Sequence, residues 1–257
     1  MVLHQNPYLD TEFQVLNCIS KISTDEEYFV FKSGLFPNYY DGNKFWFTKK
    51  TDLPVKDLRS FFKDVFPSET YSHVRFVFEK SNLRSIVKSR ALKGEFKSFE
   101  RNVFMSIDHC QPFTPISGYL IRELRGEKDW EEFYYHQKAC HPDNDWYLKE
   151  GLDIQKIITE KLGIQWFGVF EENNPKILSS LGIFKNGHLA RLQDVKTNPG
   201  YFRKGLATYL MVFVIQYALM SLKAKELVLC ADKDYHAFKF YKKLGFTPKV
   251  EIMVFSD

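Results

Sequence analysis

Residues 206–222 run for 17 positions without a charge, bounded by Lys204 and Lys223. As a helix this run would extend about 26 Å, at the short end of what spans a bilayer. It contains Thr208, Gln216 and Ser221, and strand-like segments lie close on both sides. It therefore reads as a buried helix of a sheet protein, and no membrane partner is expected. A helix that is apolar on all sides needs cover on more than one face, so a second lobe is expected to pack against it.

The stretch before it is Asp194-Val195-Lys196-Thr197-Asn198-Pro199-Gly200-Tyr201-Phe202-Arg203-Lys204-Gly205. An alternating strand, 189–197, runs into a Pro-Gly turn and a basic, glycine-bearing loop at the helix start. The first turn of a helix has backbone N–H groups without intrahelical partners, and the helix dipole adds positive charge there. Arg203 and Lys204 add full charges. Such a junction suits a phosphate-bearing ligand, and a pyrophosphate above all. Gly200 and Gly205 have the glycine spacing of a nucleotide P-loop, but Leu206 and Ala207 stand where Lys and Ser/Thr would be needed. A dinucleotide fingerprint also fails, because only Gly205 and Ala207 fall near its positions and the preceding elements are not a βαβ crossover.

Around this junction the C-terminal half reads as a mixed α/β unit. A strand at 119–124 precedes helices at 130–140, capped by Asp129, and at 146–162. Strands at 165–171, 176–184 and 189–197 form an antiparallel meander. The 206–222 helix, a strand at 226–231, a helix at 235–244 and a strand at 250–255 follow. The N-terminal half carries strands at 28–31, 44–48, 73–79 and 99–107. Its helices follow Pro54 and cover 83–92, and Asp108–Ser117, with Pro112 and Pro115, is the linker candidate.

The segment with Thr197, Pro199 and Arg203-Lys204-Gly205-Leu206-Ala207 resembles the acyl-CoA loop of the GNAT N-acetyltransferase superfamily. Ala237-Phe238-Lys239-Phe240-Tyr241-Lys242-Lys243-Leu244-Gly245-Phe246 is similar to the family's A-x-x-x-Y-x-x-x-G-F helix. The resemblance covers about Gly118 to Asp257 and implies acetyl-CoA as cosubstrate. Its pantetheine would run beside the strand near Val195 and Thr197. Its pyrophosphate would lie over Phe202, Arg203, Lys204, Gly205, Leu206, Ala207 and Thr208, with Asp234 and Ala237 at the second motif. Tyr241 matches the general acid that protonates the departing thiolate. Two positions depart from the pattern: Phe202 replaces an Arg or Gln, and Asp234 replaces an Asn. The loop is thus expected to bind chiefly through backbone N–H groups, Arg203 and Lys204.

The amine must lose a proton, and the base is open among Asp194, Glu131, Glu132, Asp143, Asp145 and ordered water. Strand alternation would put Asp194 on the face opposite Val195, in solvent, and Gln193 on Val195's face. His136, Cys140, His141 and Asp143 lack a second cluster to complete a metal site, so no metal is expected. Four scattered cysteines fit a reduced, cytoplasmic protein. A net charge of +4, dispersed along the chain, lacks the concentrated basic face of a nucleic-acid binder.

Residues 1–115 resemble, through Tyr39-Tyr40-Asp41-Gly42-Asn43, the degenerate first lobe of two-lobed acetyltransferases. Phe78–Asn82 has no glycine where a phosphate loop would need one. The expected molecule has a degenerate lobe over 1–115 and a GNAT domain over 116–257. It would acetylate a primary amine of a small molecule or peptide, as a monomer or homodimer. The alternatives are a CoA-binding module without turnover and an interaction protein with neither ligand nor activity.

Overall fold

The computed structural model describes residues 3–49, 57–80, 92–142 and 147–257. The helix start at Pro54, the helix expected over 83–92 up to Leu92, and Asp143 and Asp145 lie outside them. The chain divides into two compact units: Met1–Met105 with Cys230–Lys243 and Pro248–Asp257, and Ser106–Leu229 with Leu244–Thr247.

The first unit holds helices α1 (Pro7–Asn17) and α2 (Leu58–Val65), with strands β1 (Lys21–Thr24), β2 (Tyr28–Lys32), β3 (Lys44–Phe47), β4 (Arg75–Glu79) and most of β5 (Ser98–Ile107). The polarity of residues 1–17 hid α1. Asn6 accepts hydrogen bonds from the Tyr8 and Leu9 N–H groups, Pro7 occupies the first turn, and Leu9, Phe13 and Leu16 turn inward. Phe45, Phe47, Phe62, Phe66, Phe76 and Phe78 form the core on one face of the strands. The chain's C-terminal strand belongs here for a plain reason: its residues Ile252–Ser256 pair antiparallel with β4, from Ile252 opposite Glu79 to Ser256 opposite Arg75.

The Tyr39–Asn43 turn is a packed knot. Asn43 accepts from the Ser33 N–H at 2.8 Å and donates to the Phe36 and Tyr39 carbonyls at 2.8 and 3.0 Å. A Cβ on Gly42 would lie 2.9 Å from the Tyr39 ring, so only glycine fits. Beside it, Asp41 meets Lys44 at 3.2 Å and Arg75 at 3.1 Å, and both cations are buried. Burial would raise the Asp41 carboxyl, but Arg75 and Lys44 outweigh it and hold it far below its ordinary value.

The second unit is the meander β6 (Tyr119–Glu123), β7 (Gln165–Glu171), β8 (Ser179–Asn186) and β9 (Leu189–Thr197), all antiparallel. The start of β10 (Glu226–Asp232) pairs parallel with β9. Helices α3 (Gly126–Cys140), α4 (Leu152–Leu162) and α5 (Leu206–Met220) complete it. Helix α3 begins four residues earlier than expected because Asp129 is not its cap. Asp129 sits in the first turn, accepts the Arg125 N–H at 2.6 Å and takes both Arg122 guanidinium donors at 2.7 Å.

Helix α5 has no exposed residue from Tyr209 to Leu219. Phe113, in the segment expected to be a linker, stacks on Tyr209 at 5.1 Å and meets Phe213 at 5.5 Å, and Phe167 meets Phe213 and Tyr217. Part of the cover sought from a second lobe thus comes from the helix's own unit. Among the described residues no helix is long and apolar enough to cross a membrane.

Asp41→Asn would leave Lys44 buried beside a neutral amide and Arg75 with Glu100, 3.5 Å away, as its remaining carboxylate among the described residues. The expected loss is about 2 kcal/mol, less than the ~3–5 kcal/mol of a wholly buried pair, because Asp41 keeps 42% of its side chain exposed. A carboxyl held below its unfolded value near ~3.9 stabilises fully above about pH 5 and loses that contribution as pH falls. Urea unfolding between neutral and strongly acid pH checks this: Asp41→Asn should start lower and change less with acid than the wild type.

Candidate acyl-donor site

Strand β9 is irregular at one point. Ser180 pairs with Lys196 and Gly182 with Gln193, so Asp194 and Val195 together oppose Leu181. This is a β-bulge, and Asp194 takes a left-handed φ of 52°. The bulge breaks the alternation on which the sequence reading of Asp194, Gln193 and Val195 relied. Asp194 is half-buried, with 24% of its side chain exposed. Its Oδ1 is 2.6 Å from Lys196 Nζ, and its Oδ2 accepts from Gln155 Nε2 at 2.7 Å and Gln137 Nε2 at 3.3 Å. Lys196 Nζ also donates to Gln137 Oε1 at 2.8 Å. Gln137 lies on α3 and Gln155 on α4, so both helices reach the bulge.

Past the bulge, the Thr197 hydroxyl lies 2.9 Å from Ser179 Oγ, and the Thr197 carbonyl accepts from Cys140 Sγ at 3.6 Å. Asn198 then sets the turn: its N–H donates to the Leu178 carbonyl at 2.8 Å and its Oδ1 accepts from Gly200 N–H at 3.1 Å. Phe202 follows, 60% exposed. Arg203 has φ 61° and Gly205 φ 79°. Left-handed residues set between right-handed or extended ones turn successive N–H groups towards a shared concavity that suits an anion. A Cβ on Gly205 would meet no atom within 4 Å, so glycine is needed there for its φ. The Tyr209 N–H closes the first turn on the Gly205 carbonyl at 2.9 Å. The N–H groups of Leu206, Ala207 and Thr208 belong to that turn and have no partner inside the helix. Leu206 is buried in the core, so it can offer a ligand only its backbone. Arg203, Lys204 and Thr208 are exposed and Ala207 half-buried.

A cavity of about 450 Å³ opens nearby, lined by Glu132, Tyr135 and His136 of α3 with Pro175, Lys176 and Asn198 among others. Burial, with Lys196 beside it, lowers His136 to about 4, so the ring is neutral at physiological pH. Burial raises the Cys140 thiol to about 11, so it is no nucleophile. Among the described residues no three His, Cys, Asp or Glu side chains group as metal ligands. Glu131 is exposed and does not line the cavity.

Asp234, Ala237 and Tyr241 belong to the first unit, whereas Val195–Thr208 belong to the second. Asp234 is held by Arg101, whose Nε donates to it at 2.9 Å, and lies two residues before α6 (His236–Lys243). Tyr241 is 8% exposed and packs on Phe240 at 5.3 Å. Gln137, Gln155 and Lys196 escaped the sequence reading. The one available signal was Asp194-x-Lys196, opposite charges two apart in a strand and hence on one face.

A search of the curated proteins finds no match to this chain. The family model for the acetyltransferase (GNAT) family matches residues 127–246. Among solved structures, a functionally unknown conserved protein from Staphylococcus epidermidis has a TM-score of 0.71 at 13% identity, over 93% of this chain and 94% of that one. A GCN5-related N-acetyltransferase from Kribbella flavida has a TM-score of 0.67 at 11% identity, over 99% and 96%. A tandem GNAT protein from the clavulanic acid biosynthesis pathway has 0.55 at 10%, over 79% and 69%. These identities speak for the fold alone. The match to the acetyltransferase (GNAT) family model runs from the first turn of α3 to Phe246 and takes in the bulged strand, the loop and the Ala237–Phe246 motif, and the solved structures share the chain's mixed α/β fold.

Proposed function

We propose that this protein is an acetyl-CoA-dependent N-acetyltransferase, with residues 116–257 as its catalytic lobe and 1–115 as a degenerate lobe without a phosphate loop. The observation that carries the reading is the pair of left-handed residues, Arg203 and Gly205, at the mouth of a 15-residue helix directly after a bulged strand. The backbone from Arg203 to Thr208 would hold the pyrophosphate, with Arg203 and Lys204 adding charge, and the strand edge at Val195 and Thr197 would hold the pantetheine. Phe202, pointing into solvent, takes no part in charge neutralisation.

In the reaction, the neutral amine attacks the thioester carbonyl carbon, so a C–N bond forms as the C–S bond breaks. The amine proton passes to water or a carboxylate. Tyr241 donates its hydroxyl proton to the departing sulfur and recovers one from solvent. Asp194 is poorly suited as the base, because both its oxygens are already engaged. Among the described carboxylates we assign Glu132 to the acceptor side, since it faces the cavity and would draw a cationic amine towards it.

CoA release with acetyl-CoA and a panel of amines tests the reading. Tyr241→Phe should lower kcat by about 10²–10⁴-fold, the range for general acid catalysis, with the Kd for acetyl-CoA within about twofold of wild type. An unchanged kcat would make Tyr241 a core aromatic. Tight CoA binding without turnover on any amine would favour the module, and no CoA binding the interaction protein. For Glu132→Gln the expected change is a roughly tenfold rise in acceptor KM with kcat within about twofold, the signature of lost uniform binding. An unaltered KM across the panel would remove Glu132 from the acceptor site.

A further inference from the structure

Asp194 combines three costs at one position. It is a non-glycine residue in the left-handed region, it interrupts a strand ladder, and its charge is largely withdrawn from water. Such strain persists only where the surroundings over-determine it, and it concentrates at functional sites. A partly buried ion pair is weak evidence for stability, because desolvation offsets the attraction. The cluster therefore calls for a role other than holding the fold together.

Its connectivity supplies one. Gln137 closes a ring, donating to Asp194 at 3.3 Å and accepting from Lys196 at 2.8 Å. Gln155 donates to Asp194 at 2.7 Å, and its own Oε1 is buried without a hydrogen-bond partner among the described residues. Turning that amide over would set its oxygen against the carboxylate, so the charge on Asp194 fixes its orientation at the cost of an unmet acceptor. Around the ring, His136 and His141 are pushed down and Cys140 is pushed up, by burial first in each case. Among the described side chains joined by the ring's hydrogen bonds, Asp194 and Lys196 are the charged members of a polar centre that joins α3, α4 and the bulge.

We propose that Gln137, Gln155 and Lys196 are positioning residues that, with Asp194, clamp the bulge of β9 to α3 and α4. The clamp fixes the backbone at Val195 where the acyl group is held. The inference rests on the reading of Val195–Thr208 as the acyl-donor site, and it makes Asp194 a structural anion and not the proton acceptor. It also ties the donor strand to the helix that carries Glu132, so a shift of α3 moves the bulge.

Gln137→Met, Gln155→Met and Asp194→Asn test it in the full chain. Each should lower kcat by about 10–50-fold with the acetyl-CoA Kd within about threefold, a loss confined to the transition state. The acid limb of the pH–rate profile should stay in place in Asp194→Asn. Combining Asp194→Asn with Gln155→Met should cost little more than either alone, as expected of one network. The double variant Asp194→Asn/Lys196→Met removes both charges, and it should keep the wild-type Tm within a few degrees while kcat stays low. Amide hydrogen exchange gives a readout independent of activity: Val195–Thr197 should exchange at least about tenfold faster in the glutamine variants, with Leu189–Leu192 unchanged. Unchanged kcat and exchange in both glutamine variants would overturn the clamp. Loss of the acid limb in Asp194→Asn would also overturn it and make Asp194 the base. If the wild type acetylates no amine, the exchange result still decides the clamp, and the failure falls on the acetyltransferase reading.

Discussion

The pairing of Asp194 with Lys196 accompanies a left-handed residue in the middle of β9, and the proposed acyl-donor site begins at that interruption. Up to Gln193 the strand is an ordinary partner of β8. Beyond it two residues face one, the ladder slips, and Lys196 and Thr197 resume pairing in a shifted register. A regular strand would expose alternate side chains and commit its backbone groups to its neighbours. A bulge leaves one residue outside the ladder and re-aims the chain, which suits a strand whose backbone is to meet an extended ligand. The turn at Asn198 and the left-handed pair Arg203 and Gly205 then carry the chain into α5, whose first N–H groups have no partner inside the helix.

The two units solve different problems. The first is aromatic and closed, with phenylalanines stacked across β3 and β4 and two buried cations paired with Asp41 and Glu100. Its Tyr39–Asn43 turn is held by Asn43 and has no room for a larger residue at position 42, so its role in this chain is structural. The second unit carries Arg203 and Lys204 on an exposed loop and Glu132 and Lys176 at the lining of a cavity. Residues 230–243 and 248–257 group with the first unit because the last strand pairs with β4. Tyr241 is therefore separated from the loop in that grouping, although both lie within the matched family domain.

Much of the fold was legible because its signals are local. The short apolar runs of β7 to β9, the turns at Asn173-Asn174 and Asn186-Gly187, and the uncharged 206–222 run each point to one element. The strand–loop–helix junction was legible for the same reason, since a strand, a glycine-bearing basic loop and a helix start are consecutive. What stayed hidden depends on distant partners. The bulge cannot be read from β9 alone, because it exists only relative to Leu181, and without it Asp194 falls on the wrong face. Gln137 and Gln155 look like ordinary polar helix positions until the folded chain brings them to Asp194. Helix α1 was hidden because acidic and polar residues interrupt its apolar ones, and Asn6-Pro7, its cap and first turn, was the available sign.

The central claim is that the strand, loop and helix start from Val195 to Thr208 bind acyl-CoA. Titration of acetyl-CoA into ¹⁵N-labelled protein, followed by amide chemical shifts, tests it most directly. The account predicts saturable shifts concentrated at Val195, Thr197 and Arg203–Thr208, with Leu189–Leu192 little changed. Saturable binding that leaves those amides unmoved and shifts another surface, or no binding at all, would contradict it.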